Sequence, residues 1–160
     1  MPMAPVFSPS QQQERTMNVG DAIGTRTEVF SVPNDMTVHD AARYLREKGV
    51  RAVGVTDAGK RLVGIVSQAD ISDKVAAENK PPAWMRVAEI MSTDLVTVRR
   101  DTPLDEALRL MEKHNFYHLL IVDDHGGFHG IISVRDLLRI IARDEKDRAD
   151  MLEQMMFPQR

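Results

Sequence analysis

Two short segments hold the residue types that could do chemistry. Ser67-Gln68-Ala69-Asp70 and Ser133-Val134-Arg135-Asp136 each set a hydroxyl three residues ahead of a carboxylate, the spacing at which a helix N-cap meets the third helical residue. Such a pair can be a capping box and nothing more. It can also hold a ligand, because a helix N-terminus offers unpaired N–H groups and a partial positive charge to a phosphate. The serine hydroxyl adds a donor, and the carboxylate can accept from the two vicinal hydroxyls of a ribose. Gly64 and Gly130 remove a side chain where a ligand could approach the preceding strand. One such motif would mean little; two in register point to a ligand site in at least one of them.

Other constellations carry less. His114 and His118 are four residues apart, as are His125 and His129, a spacing that chelates zinc on a helix. Asn115 interrupts the first pair and Gly126-Gly127 the second, so exposed loop histidines are expected and no metal site. Ser67 and Ser133 have no base at a recognisable spacing, which removes nucleophilic catalysis. Asp123-Asp124 reads as the start of a turn. The expectation is a protein that is not an enzyme and requires no cofactor.

The elements that must position the two motifs are themselves repeated. Gly64-Ile65-Val66-Ser67-Gln68-Ala69-Asp70 recurs as Gly130-Ile131-Ile132-Ser133-Val134-Arg135-Asp136, and the same gapless offset of 66 pairs Asp35 with Asp101, Ala41 with Ala107 and Asp57 with Asp123. In each half Val38, Ala41, Ala42, Leu45 and Leu104, Ala107, Leu108, Met111 follow helical spacing, with Thr37 and Thr102 as expected N-caps and Pro103 as first helical residue. Gly49 and Asn115 tolerate the left-handed conformation that ends a helix. Apolar runs 52–56 and 62–66, and 119–122 and 129–132, flank turn residues and read as hairpins; second helices start at Ser67 and Ser133. Short strands are expected before the first helices, at 28–32 and 95–98. Each half is thus β-α-β-β-α. Trp84 in the connection is expected to pack, and Met151, Leu152, Met155 and Met156 form an apolar stripe on a final helix that should pack on the module or on a second copy.

The totals set limits. The chain has 160 residues, 42% hydrophobic and 28% charged, with a formal net charge of -3 and no cysteine. Half of it would bury too little apolar surface to stand alone, so the halves should share a core. Nucleic-acid binding through a broad basic face is not expected, nor a membrane span. The expected setting is cytoplasmic. Residues 1–18, with Pro, Ser and a Gln11-Gln12-Gln13 run, lack the pattern of a signal peptide and read as a flexible tail.

Both halves resemble CBS repeats, and together a CBS pair, or Bateman module. The residues that carry this are Asp101 to Ala107, Leu119 to Asp124 and Gly130 to Asp136, with a sparser first-half match through Asp35, Thr37-Val38, Ala41-Ala42 and Gly64 to Asp70. The resemblance divides the chain into a repeat at 19–76, a connection at 77–86, a repeat at 87–143 and a C-terminal helix and tail at 144–160. It implies an α/β (α+β) fold with two repeats packed about a pseudo-twofold axis, short mixed sheets and two clefts. One site would combine Ser67 and Asp70 with Leu95, Val96, Tyr117 and His118. The other would combine Ser133, Arg135 and Asp136 with Val29, Phe30 and Arg51. Aliphatic residues would flank an adenine, the aspartates would hold the ribose, and Arg51, Arg135 and His118 would meet phosphate. The implied ligand contains adenosine: AMP, ADP, ATP, NAD or S-adenosylmethionine. The implied partners are a second copy in a homodimer and an unknown regulated protein. The sequence departs from the family at Ala69, where arginine is common, and at Gly54 and Leu120, where proline is common. The Asp136 site is therefore expected to be the tighter phosphate site.

Overall fold

The computed structural model describes residues 16–26 and 28–156. The element order is α1 (Val19–Ile23), β1 (Ser31–Pro33), α2 (Val38–Lys48), β2 (Ala52–Thr56), β3 (Leu62–Ser67), α3 (Gln68–Ile71) continued by a π-helical turn (Ser72–Ala76), a 3-10 turn (Val87–Glu89), β4 (Thr97–Val98), α4 (Leu104–His114), β5 (His118–Val122), β6 (Phe128–Ser133) and α5 (Val134–Met156). β-α-β-β-α therefore occurs twice. In each half the first strand runs parallel to the second and the second antiparallel to the third, giving sheets β1-β2-β3 and β4-β5-β6. Both hairpins shift register at the same place, Val55/Thr56 and Ile121/Val122.

The buried stripes of α2 and α4 are Val38, Ala41, Leu45 and Leu104, Ala107, Met111, and the helices end at Gly49 and Asn115 in left-handed conformation. Thr37 caps α2 by accepting from Asp40 N at 3.1 Å. Thr102 does not cap α4. Its hydroxyl accepts from Arg99 N, closing the preceding turn, and Pro103 takes the cap position without a side-chain bond. The expected strands at 28–32 and 95–98 shrink to Ser31–Pro33 and Thr97–Val98, because each pairs along one edge only and for two or three residues.

The two cores do not follow the two halves of the sequence. Val19 and Ile23 of α1 lie in the core with Val98, Leu104, Leu119, Ile132 and Leu137. Val87 and Ile90 lie in the core with Val32, Val38, Leu45, Val53 and Val66. The main chain seals both exchanges. Val19 N donates to Thr102 O and Leu104 N to Met17 O; in the mirror arrangement Val87 N donates to Met36 O and Val38 N to Met85 O. Each repeat thus borrows its lid from the segment that precedes the other. The expected tail loses its last residues to this arm: Asn18 caps α1 through Asp21 and bridges to Pro103. Residues 1–15 and 157–160 fall outside the described residues.

One further expectation is overturned and another is narrowed. Trp84 is 84% exposed; Trp84 N closes a turn onto Pro81 and the indole is left outside. The final helix is continuous with the one that starts after Ser133: α5 runs unbroken from Val134 to Met156. Its Met151, Leu152, Met155 and Met156 are all exposed, so of the two expected places for the stripe, the module and a second copy, the module is excluded. Ion pairs such as Arg148–Asp144 suit a helix that continues through the charged run.

Gly54 explains its own departure from the family. A Cβ there would stand 2.6 Å from the Phe128 ring, which reaches it from the other repeat's sheet. Gly54→Ala should lower unfolding stability by about 1–3 kcal/mol through overpacking. Urea unfolding should show part of that loss recovered when Phe128→Leu is added; no recovery would mean the cost arises elsewhere.

Candidate functional site

Ser67 and Ser133 sit where β3 and β6 hand over to helices, and both motifs form as capping boxes. Ser67 N donates to Asp70 Oδ2 (2.9 Å) and Asp70 N to Ser67 Oγ (3.2 Å); Ser133 N donates to Asp136 Oδ2 (2.9 Å) and Asp136 N to Ser133 Oγ (3.1 Å). Both caps open onto one continuous cleft of about 930 Å³, where the resemblance implied two. Ser67, Asp70, Leu95, Val96, Tyr117, His118, Phe30, Arg51, Ser133, Arg135 and Asp136 all line it. Val29 does not. It is 40% exposed, while its neighbours Glu28 and Phe30 line the cleft, so the extended chain turns Val29 the other way.

The main chain does not follow the implied grouping of residues. Strand pairing sets His118 opposite Ser133 and Ala52 opposite Ser67; Val134 N donates to Tyr117 O and Gln68 N to Arg51 O. Tyr117 and His118 therefore adjoin the Ser133 cap, and Arg51 the Ser67 cap. Each hairpin pairs its own two strands, so the residue entering the second strand must neighbour the cap leaving the third.

The two ends of the cleft differ in chemistry. Asp70 is engaged twice over. Its Oδ2 also accepts from Ser67 Oγ (3.0 Å) and its Oδ1 pairs with Lys74 Nζ (2.9 Å), which itself donates to Ile90 O. α3 is four residues long before it widens into the π-helical turn, so little aligned dipole stands behind that cap. At the other end α5 has 23 residues. Asp136 Oδ2 takes the capping bond and lies 3.8 Å from Arg26, and its Oδ1 has no hydrogen-bond partner among the described residues. Arg26, Arg135 and Arg139 line the cleft beside it. At Gly64 and Gly130 the reading divides. A Cβ on Gly64 would strike Met91, so that glycine makes room for the crossing arm, whereas Gly130 faces open space at φ 121° and lines the cleft.

His118 lines the cleft with Asp136 and Arg51. Burial holds its imidazole below the ordinary 6.5; the Asp136 charge opposes this and the Arg51 charge adds to it. It is a neutral hydrogen-bonding group at neutral pH unless an anion enters. Asp123 lies outside the cleft. It is held down at about 2 by His129, whose ring is 2.9 Å away, and by the Gly127 and His125 amides, so it closes the turn expected of it. Among the described residues no group of three His, Asp or Glu side chains could hold a metal ion.

Sequence reasoning missed Arg26, Ser92, Asp94 and Arg139, which also line the cleft. The repeat offset links Arg26 with Ser92, and Arg139 is one turn beyond Arg135, so both signals were available.

A family model described as CBS domain matches residues 19–77 and 87–143. An uncharacterised protein, MJ1232, of Methanocaldococcus jannaschii is 34% identical over 126 residues, which is 79% of this chain and 40% of that one; the chain spans less than half of that relative. The solved structure of a signal-transduction protein with CBS domains from Burkholderia ambifaria superposes with a TM-score of 0.75 at 29% identity, covering 80% of this chain and 96% of that one. The CBS domain pair of protein MJ0100, solved in complex with 5-methylthioadenosine and S-adenosyl-L-methionine, gives 0.72 at 26% identity, covering 81% and 98%.

The His118 environment sets a pH dependence. The folded state binds this proton less readily than the unfolded chain, so the stability is fully present above about 6.5 and is lost as pH falls from there toward the folded value. Urea unfolding between pH 8 and 5 should show a shallower decline in His118→Gln than in the natural chain. The slopes can differ by at most about 1.4 kcal/mol per pH unit, the value for one proton. Identical slopes would place the titration elsewhere.

Proposed function

The chain belongs to the CBS domain family, and from that premise we propose that it is a non-catalytic sensor module binding an adenosine-containing ligand in the cleft. The ligand is AMP, ADP, ATP, NAD or S-adenosylmethionine, and the Asp136 end holds it more tightly. The observation that carries this reading is the uncommitted Oδ1 of Asp136, on a helix N-terminus lined with arginine. A carboxylate so placed accepts from ribose hydroxyls while the helix amides and guanidinium groups receive a phosphate. Phe30, Leu95 and Val96 supply apolar walls for a base. The similar MJ0100 pair was solved with two adenosine derivatives, which supports the ligand class. A ligand signals only by binding two states unequally, so a regulated protein or a second copy must receive the change, in a cytoplasmic setting. The exposed Met151, Leu152, Met155 and Met156 of α5 suit a homodimer contact.

A second reading has its own support. Both Ser-x-x-Asp pairs are complete capping boxes without any ligand, as they would be in a ligand-free interaction subunit.

Thermal unfolding with each of the five ligands separates the readings. Ligand at a hundred times its dissociation constant adds about 2.7 kcal/mol, or roughly 5–10 °C for a chain of this size. Asp136→Ala should abolish the shift measured against its own unliganded midpoint, and Asp70→Ala should reduce it less. No shift with any ligand moves the conclusion to the interaction subunit. Sedimentation at micromolar concentration should give a dimer; a pure monomer refutes the homodimer.

A further inference from the structure

α5 carries a row of cations that the repeat template does not require. Arg135, Arg139 and Arg143 are spaced four residues apart, so they share one face and span about 12 Å along the axis. All three are exposed. None has a hydrogen-bond or ion-pair partner among the described residues. Like charges at this spacing repel, and cations near a helix N-terminus oppose its dipole. The row therefore costs the isolated protein stability. The equivalent positions of the first repeat are Ala69, Asp73 and Ala77, so the row belongs to one end of the cleft alone.

The cavities follow the row. A second hollow of about 460 Å³ adjoins the cleft and shares Arg26, Asp136 and Arg139 with it. Arg143 lines only the second hollow, Arg135 only the cleft, and Arg139 both. Arg26 at the junction is already engaged, donating to Ile131 O at 3.1 Å. The other carboxylate of the second hollow, Asp21, accepts from Asn18 N in the α1 cap. A path thus leads from the Asp136 carboxylate past Arg139 to Arg143, walled by guanidinium groups free to form paired N–H bonds to phosphate oxygens.

We propose that Arg135, Arg139 and Arg143 form a track for a chain of phosphates, so that the ligand at the Asp136 end is an adenosine polyphosphate rather than a monophosphate. This rests on the adenosine reading above and goes further by assigning the number of phosphates. Free polyphosphate shares the chemistry, and the test separates the two.

The test is isothermal titration calorimetry of the full chain with AMP, ADP, ATP and inorganic tripolyphosphate, without divalent metal. Affinity should rise along AMP, ADP and ATP, with ATP at least about tenfold above AMP, the yield of one charge-assisted bond. Arg143→Gln should remove most of that gap and leave AMP affinity unchanged. Arg148→Gln, whose residue pairs with Asp144 beyond the second hollow, should change neither. If AMP binds and ATP binds no better, the track is refuted and the adenosine reading survives. A gap that persists in Arg143→Gln also refutes the track. If tripolyphosphate binds, weakens in Arg143→Gln and none of AMP, ADP and ATP binds, the track stands as a polyphosphate site and the adenine nucleotides are struck from the proposed ligands. Binding of none of the four overturns the track, and the adenosine reading then falls too if NAD and S-adenosylmethionine give no thermal shift.

Discussion

Neither half of this chain can cover its own core. About sixty residues bury too little apolar surface to fold comfortably alone, and here each three-stranded sheet packs one long helix on itself and leaves a gap. The gap over the second sheet is filled by Val19 and Ile23, and the gap over the first by Val87 and Ile90. Everything else depends on this exchange. It holds the two sheets at the distance where Phe128 reaches Gly54, and it leaves between them the cleft onto which both caps open. A cut between the halves would therefore strip a lid from both cores instead of releasing two domains.

The same exchange lets one template carry two chemically different cleft ends. The capping boxes are geometrically alike, because each follows from a strand running directly into a helix. What surrounds them is not under that constraint. Lys74 ties up Asp70, while Ile140 stands at the matching position of the second repeat and Asp136 keeps an oxygen uncommitted. α3 loosens after one turn, whereas α5 continues for 23 residues. The repeated template sets the frame, and the residues around each cap set the difference.

The local features were legible in the sequence. Gly49 and Asn115 marked helix ends because few residues tolerate their backbone conformation, and the Ser-x-x-Asp pairs marked helix starts because the spacing is that of a capping bond. Long-range features were not. Nothing in Val19-Gly20-Asp21-Ala22-Ile23 states that it belongs to the other core, since an apolar pair at helical spacing fits any gap of the right shape. Val29 was misplaced because the alternation of a short extended segment has two phases and only tertiary contact chooses between them. Thr102 had two possible partners, and the turn to Arg99 took the bond. The His118 grouping failed for a different reason: hairpin pairing settles it, and the expected grouping came from resemblance rather than from register.

The length of α5 gives the molecule a mechanical property. From residue 145 onward its side chains are all exposed, so the helix is a rod anchored at one end, by Leu137 and the α1 arm, and free at the other. A rod of 23 residues is about 34 Å long, and a tilt of about 10° at the Asp136 end would carry Met156 through about 5 Å. A rearrangement inside the cleft that tilted α5 would therefore be read out as a displacement as large as a side chain, at a point well outside it.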